Sequence, residues 1–432
     1  MADISSDTAR PWQDRGVPDH LNVALVNNHY RLGGAETVLR QLHEAYLRSG
    51  YESRILLANG KTYPADSTVE PMYPRLLSHL SHSRFHRLTE ALAPRSDWTE
   101  RKFLQLAGST ADVVHLHSFH GLYASIEALA ELARRKPVVW TFHRFWGITG
   151  GCDHPGHCTR YLSACGNCPK TDEWPLCGKD DTAEQLARKL KHLRPAPLTI
   201  VAPSRHLAER VRHSLVGRQW RVEHIPNGVN PDAYSYSHKS EAAFRQKLGL
   251  DPKAIVVLIV NRNFADPVKG FPVIAEALQQ LDHPRVQLVL AGGESAHAAG
   301  KIPSRLRHVD AGYISDEQRM AALYEAADIF LYASPGENFP CVIIEAMASK
   351  CCVVATPTDG VLEQIEHGES GLLAEAMTGN ALATVLRRAI NDSSERLRLA
   401  NNARRRIETE FSESLMVDRH LRLYADVIAN AS

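Results

Sequence analysis

PGENFPCVIIEAMASKCCVVAT, Pro335 to Thr356, sets two carboxylates, Glu337 and Glu345, at either end of a mostly apolar run. Pro340 suits the first position of a helix, where an N–H would have no intrahelical partner. A helix from Pro340 to about Ser349 places Val342, Ile343, Ala346 and Met347 on one apolar stripe, with Cys341, Glu345 and Ala348 beside it. Glu337 then lies in the loop feeding the helix N-terminus, an end whose free N–H groups attract anions. A ligand with hydroxyls near both carboxylates and phosphate near the helix start fits this layout. An ordinary amphipathic helix with two solvated acids fits it equally, so the decision passes to the rest of the chain.

Outward from this stretch, apolar runs alternate with helical patterns. NVALVN (22–27), SRILLA (53–58), VVHLH (113–117), VVWTF (138–142) and LTIVA (198–202) read as strands of a first half. IVVLIV (255–260), VQLVLA (286–291), IFLY (329–332) and CVVA (352–355) read as strands of a second. Continuous apolar strands indicate sheets covered on both faces, the mark of parallel α/β layers. The Pro-, Gly- and Asn-rich HIPNGVNPDAYSYSHKS suits an interdomain connection. The organisation expected is a polar leader (1–20), a Rossmann-like domain (21–235) with a cysteine-rich insert (150–178), a second Rossmann-like domain (236–410), and a terminal helix (411–432) packing back on the first. Ligands bind at the carboxyl ends of strands in such sheets.

At 432 residues there is length for two cores. With 50 basic against 49 acidic residues, a nucleic-acid partner is disfavoured. No apolar run reaches transmembrane length and the start lacks a signal-peptide core, so a cytoplasmic protein is expected, its eight cysteines not paired in structural disulfides.

Several candidate groups stand where strands run out. RLGGAE (31–36) offers Gly33 and Gly34 before a helix, where backbone N–H groups can approach a phosphate, although a tight turn reads the same way. It is not the G-x-G-x-x-G fingerprint of dinucleotide enzymes. NRNFADPVKG (261–270) supplies Arg262 and Lys269, two cations able to neutralise a diphosphate leaving group or merely solvated on a loop. WTFHRFW (140–146) ends a strand at His143, fit for a sugar hydroxyl or for packing. His115 and His117 share one face of their strand; packing or acceptor contact suits them better than metal ligation, since no third ligand follows.

Taken together, these segments resemble the family 4 retaining glycosyltransferases of the GT-B fold, in which two Rossmann-like domains face each other across a cleft. The E-x7-E spacing in ENFPCVIIEAMA carries most of the likeness, with IPNGVN (225–230), GGAE, HGESGLL (367–373), VAPSRHLAERV (201–211) and the Arg262/Lys269 pair in family order. The resemblance implies that Glu345 holds the ribose hydroxyls of a nucleotide-sugar donor and that Glu337 contacts the donor sugar beside Asn338 and Phe339. It further implies that Arg262, Lys269 and the Gly33–Gly34 amides face the diphosphate, and that His143 lies near donor sugar and acceptor. The implied chemistry retains the anomeric configuration without a carboxylate nucleophile, and no cofactor serves it. Lys350 and Cys352 stand where the family has glycine and proline, and TDG (358–360) replaces a double glycine, which touches donor preference. KDD (179–181) reads as a helix start rather than a metal motif.

GGCDHPGHCTRYLSACGNCP (150–169) spaces Cys152, Cys158, Cys165 and Cys168 as C-x5-C-x6-C-x2-C, which suits a structural zinc; free thiols or a labile disulfide suit it too. Similar segments occur in a branch resembling exopolysaccharide and O-antigen glycosyltransferases. Leu77, Leu80, Leu88 and Leu92, interleaved with Arg and His over 73–95, form a basic amphipathic pattern that could rest on the inner face of a membrane or pack on its own domain. The expected protein is thus a hexosyltransferase moving sugar from a nucleotide-sugar to a glycan acceptor, lipid-linked, in cell-surface polysaccharide synthesis. The competing readings are a GT-B sugar-nucleotide epimerase or phosphorylase and a non-catalytic nucleotide-sugar-binding module.

Overall fold

The computed structural model describes residues 18–31, 33–58, 64, 66–72, 95–121, 123–234, 238–266 and 269–431. The amphipathic stretch before Arg95 and nearly all of the polar leader lie outside them. The chain divides into two compact units, one running through Pro203 and adding Ala208–Ile225 and the chain from Met416, the other comprising Ser204–Leu207 and Pro226–Leu415.

In the first unit, seven parallel strands lie in the order β3-β2-β1-β4-β5-β6-β7. They are β1 (Asn22–Asn27), β2 (Glu52–Leu57), β3 (Val69–Pro71), β4 (Val113–Leu116), β5 (Val138–Thr141), β6 (Leu198–Ala202) and β7 (Arg221–His224). Every residue of β4, β5 and β6 is buried, the physical reason these segments are apolar without alternation. The short β3 and the half-exposed, charged β7 lack such runs, and the sequence pattern misses both. The KDD segment does open a helix: Asp180 accepts the Thr182 N–H at 3.2 Å, and Thr182–His192 follows.

The second unit holds β8 (Ile255–Asn263), β9 (Val286–Gly293), β10 (Arg307–Gly312), β11 (Ile329–Tyr332), β12 (Cys352–Ala355) and β13 (Leu372–Leu373). Their order is β10-β9-β8-β11-β12-β13. Successive residues of one strand serve opposite cores. Val257, Ile259, Leu288, Leu290 and Leu331 pack on one side; Val256, Leu258, Val289 and Phe330 pack on the other. This unit starts at Pro226, earlier than the boundary expected near 236. The reason is backbone pairing: Val229 N–H donates to Phe411 O at 2.9 Å and Glu413 N–H to Val229 O at 2.9 Å. Gly228 permits this approach, because a Cβ there would lie 2.7 Å from Ser412 O.

Both sheets grow outward from their first strand and then reverse, at β1/β4 and at β8/β11. Reversal leaves a crevice at the strands' carboxyl ends, where ligands bind in open α/β sheets.

Candidate active site

At the first reversal, Asn27 ends β1 fully buried. Its side chain accepts the Ser118 N–H at 2.9 Å and donates to His29 O at 2.8 Å and Glu36 Oε1 at 3.2 Å. Glu36 lies in the first turn of the helix Gly34–Arg48, so this buried carboxylate ties the helix start to the end of β1. Gly33 caps that helix in extended backbone, and a Cβ added there would meet only Glu36 Oε2, at 3.6 Å. Crowding therefore does not demand this glycine; its smallness leaves room above the first helical amides. His143, just past β5, stacks on His117 with ring centroids 5.3 Å apart, and its Nε2 lies 3.0 Å from His117 Nδ1. Burial first, and then the charges of Arg144, His120 and His420, push the His143 pKa down to about 3, so the ring is neutral. His115 and His117 do share a face, with ring centroids 4.4 Å apart.

At the second reversal, β8 continues beyond the apolar run to Asn263 and carries Arg262, which is exposed and makes no hydrogen bond or ion pair with the described residues. Lys269 closes the same loop and donates to Glu337 Oε1 at 2.6 Å, both side chains about three-quarters buried. Gly270 sets this meeting: its φ is 70°, and a Cβ would lie 2.2 Å from Ala333 O. Asn338 accepts from Ser204 Oγ at 2.5 Å, while Phe339 O accepts from Asn227 Nδ2 at 3.1 Å. Gly360 approaches closer still, since a Cβ there would fall 1.4 Å from Asn338 O.

The helix behind Glu337 runs Cys341–Ala348, one residue shorter at its start than expected, because Pro340 is the cap with ψ at 120°. Its buried stripe is Ile343, Ile344, Ala346, Met347 and Ala348; Val342 is only half-buried. Glu345 is half-buried and accepts from Tyr324 Oη at 3.0 Å. Lys350, standing where the resemblance has glycine, adopts φ 57°, the left-handed turn that follows a helix end.

The structure thus gathers Arg262, Lys269, Glu337, Asn338 and Phe339 on adjoining loops of one sheet edge and Glu345 on the helix behind them. Gly33, Gly34 and His143 gather on the corresponding edge of the other unit. The supports Asn27, Ser204, Gly270 and Gly360 were missed; a glycine closing a cation-bearing loop was the signal available for Gly270.

A family model described as Glycosyltransferase Family 4 matches residues 32–233, and one described as Glycosyl transferases group 1 matches 240–406. The chain belongs to the family 4 glycosyltransferases. The transferase is 24% identical over 373 residues to WcaC of Escherichia coli strain K12, a protein named as a glycosyl transferase of colanic acid biosynthesis, covering 82% of this chain and 88% of that one. It is 28% identical over 197 residues to the N,N'-diacetylbacillosaminyl-diphospho-undecaprenol alpha-1,3-N-acetylgalactosaminyltransferase of Campylobacter jejuni, covering 46% and 51% of the two chains. Its fold matches Anabaena Alr3699/HepE in complex with UDP and glucose, with TM-score 0.68, 20% identity and coverage of 94% and 99%. The fold is GT-B, and the family makes this chain a sugar-transferring enzyme.

In the transferase's cysteine segment, burial raises the Cys152 thiol to about 11, against a lowering by its hydrogen bond with Thr149. Among the described residues, no group of three or more His, Cys, Asp or Glu side chains is arranged to hold a metal ion. Other contacts order the segment. Lys189 Nζ, buried, donates to Trp146 O at 2.5 Å and Thr149 O at 2.9 Å, and Arg210 Nε donates to Tyr161 Oη at 2.7 Å. No described helix is long and apolar enough to cross a membrane.

Proposed function

We propose that this transferase moves a hexose, with retention of configuration, from a nucleoside-diphosphate sugar to a glycan carried on a polyprenyl diphosphate. The observation that carries the proposal is the meeting of Lys269 and Glu337 at 2.6 Å beside Arg262, which has no side-chain partner among the described residues, at the reversal point of the second sheet. Two cations at one strand end can stabilise the negative charge that grows on a departing diphosphate, the main electrostatic task in such a transfer. Glu337 holds Lys269 in place and can accept hydrogen bonds from sugar hydroxyls. Glu345, oriented by the Tyr324 hydroxyl, suits a ribose diol. A leaving phosphate oxygen takes the proton of the attacking acceptor hydroxyl, so neither glutamate acts as nucleophile.

Two relatives support the acceptor class: one is named for colanic acid, the other for an undecaprenol diphosphate substrate. The structure with UDP makes uracil the first base to try. Peripheral contact with the inner face of a membrane belongs to this proposal, and binding to vesicles containing acidic lipid tests it.

The test is thermal shift with UDP, GDP, ADP, TDP and CMP on the intact chain and on Glu345→Ala and Arg262→Ala. A ligand at a hundred times its Kd stabilises the fold by about 2.7 kcal/mol. A shift with one nucleotide, lost in both variants, supports the assignment; a shift that survives both refutes it. Product anomeric configuration by NMR then decides retention. A structural zinc on Cys152, Cys158, Cys165 and Cys168 is a separate proposal resting on their spacing in the sequence, with no catalytic part. Metal analysis finding no zinc on a chain with reduced thiols refutes it.

A further inference from the structure

Beneath His143 lies a column of buried aromatic and imidazole groups. His117 lies tilted against His115 with centroids 4.4 Å apart, and His115 against His420 at 5.4 Å. His115 is satisfied at both nitrogens, by Tyr424 Oη at 2.6 Å and Thr141 Oγ1 at 2.7 Å. Tyr46 donates to Tyr424 at 3.1 Å, so Tyr424 gives its own proton to His115 Nδ1, and His115 carries its proton on Nε2 toward Thr141. His117 differs. Its Nδ1 meets His143 Nε2 at 3.0 Å, while its Nε2 is buried with no partner among the described residues.

Only two neutral arrangements satisfy that contact, because one of the two facing nitrogens must carry the hydrogen. If His143 Nε2–H donates, His117 must hold its proton on Nε2 as a buried N–H without an acceptor. If His117 Nδ1–H donates, the unpartnered atom is a lone pair. Orphaned buried N–H groups are the rarer of the two in folded proteins. Protonating His117 would leave its Nε2–H just as orphaned, and the surroundings oppose it: among the described residues the charged or titratable groups acting on the two rings are Arg144, His120, His115 and His420, with no carboxylate.

We infer that His117 is a positioning residue which donates from Nδ1 to His143 Nε2 and so locks His143 in the tautomer that carries its hydrogen on Nδ1. His143 then offers a ligand one ring nitrogen, and that nitrogen is a donor. It can hold a sugar or acceptor oxygen, and it cannot take a proton from it. This deepens the transfer reading: with His143 barred from acting as base, the acceptor's proton goes to the leaving phosphate. The tautomer itself is testable without any reaction.

The experiment is NMR of the full chain labelled with heavy nitrogen in histidine, the His143 signals being assigned by their loss in His143→Ala. The expected spectrum shows a pyrrole-type Nδ1 and a pyridine-type Nε2 for His143; the reverse overturns the inference. Asn places its amide nitrogen where His has Nδ1, so His117→Asn should keep the wild-type pattern. His117→Asp, which can only accept when ionised, should reverse it. His117→Leu, apolar and less disruptive to fold, should give a mixture. In the transfer assay, kcat should fall about tenfold in His117→Leu, the worth of one hydrogen bond at the reacting centre, and be rescued in His117→Asn. A purely structural role for His117 would leave the His143 tautomer unmoved in all three variants. Should transfer fail altogether while the spectra hold, the functional reading falls and the tautomer assignment stands.

Discussion

Replacing His420 by leucine should make the first unit more stable, and more so in acid. His420 is buried on the C-terminal helix Glu413–Ala429, where Nδ1 meets Met416 O at 2.8 Å and Nε2 has no partner among the described residues. Burial pushes its pKa from 6.5 down to about 4, against a partial rise from the Met416 carbonyl. The folded chain therefore binds fewer protons here than the unfolded chain between those values, and stability falls as pH drops through that window. At pH 7.5 both states are neutral, and leucine removes an orphaned polar atom, a gain of about 1 kcal/mol. At pH 5.5 the unfolded histidine is about nine-tenths protonated and the folded one is not, which costs a further ~1.4 kcal/mol, one pH unit's worth of linkage. The variant should thus outperform the parent by about 2.4 kcal/mol at pH 5.5. Urea unfolding at the two pH values, read by hydrogen exchange in peptides spanning β4 and β5, isolates this unit from the other. Equal differences at both pH values would show that His420 titrates alike in both states, and the buried, neutral column would be wrong.

Other expectations follow from single contacts. Lys350→Gly should stabilise by about 0.5 kcal/mol in urea unfolding. It relieves roughly 1–2 kcal/mol of left-handed strain and returns about 0.5–1 kcal/mol of unfolded-state entropy. Gly360→Ala must displace the Asn338 backbone; a loss of about 1–3 kcal/mol by thermal unfolding and weaker nucleotide binding should accompany it. A double-mutant cycle on Lys269→Ala and Glu337→Gln should give a coupling of about 1 kcal/mol, whereas additive effects would mean the 2.6 Å contact does not hold the pair together.

Strands such as Leu198–Ala202 and Cys352–Ala355 were legible because burial on both faces leaves a continuous apolar run. The edge strands β3, β7, β10 and β13 were not, since short or half-exposed strands keep no such run. Glu337, Glu345, Arg262 and Lys269 could be singled out by spacing and charge beside predicted strand ends. Their supports could not: Ser204 reaches Asn338 across 134 positions, and Gly360 is required only because the Asn338 carbonyl passes beside it.

Periodicity, glycine and proline placement and the two-glutamate spacing are local properties, written within about two helical turns, so the chain alone determined the α/β class, the two-unit division and the candidate donor residues. Where Lys269 would find its partner and how close His117 comes to His143 are distances between segments far apart in the chain. Those were decided only when packing brought the segments together.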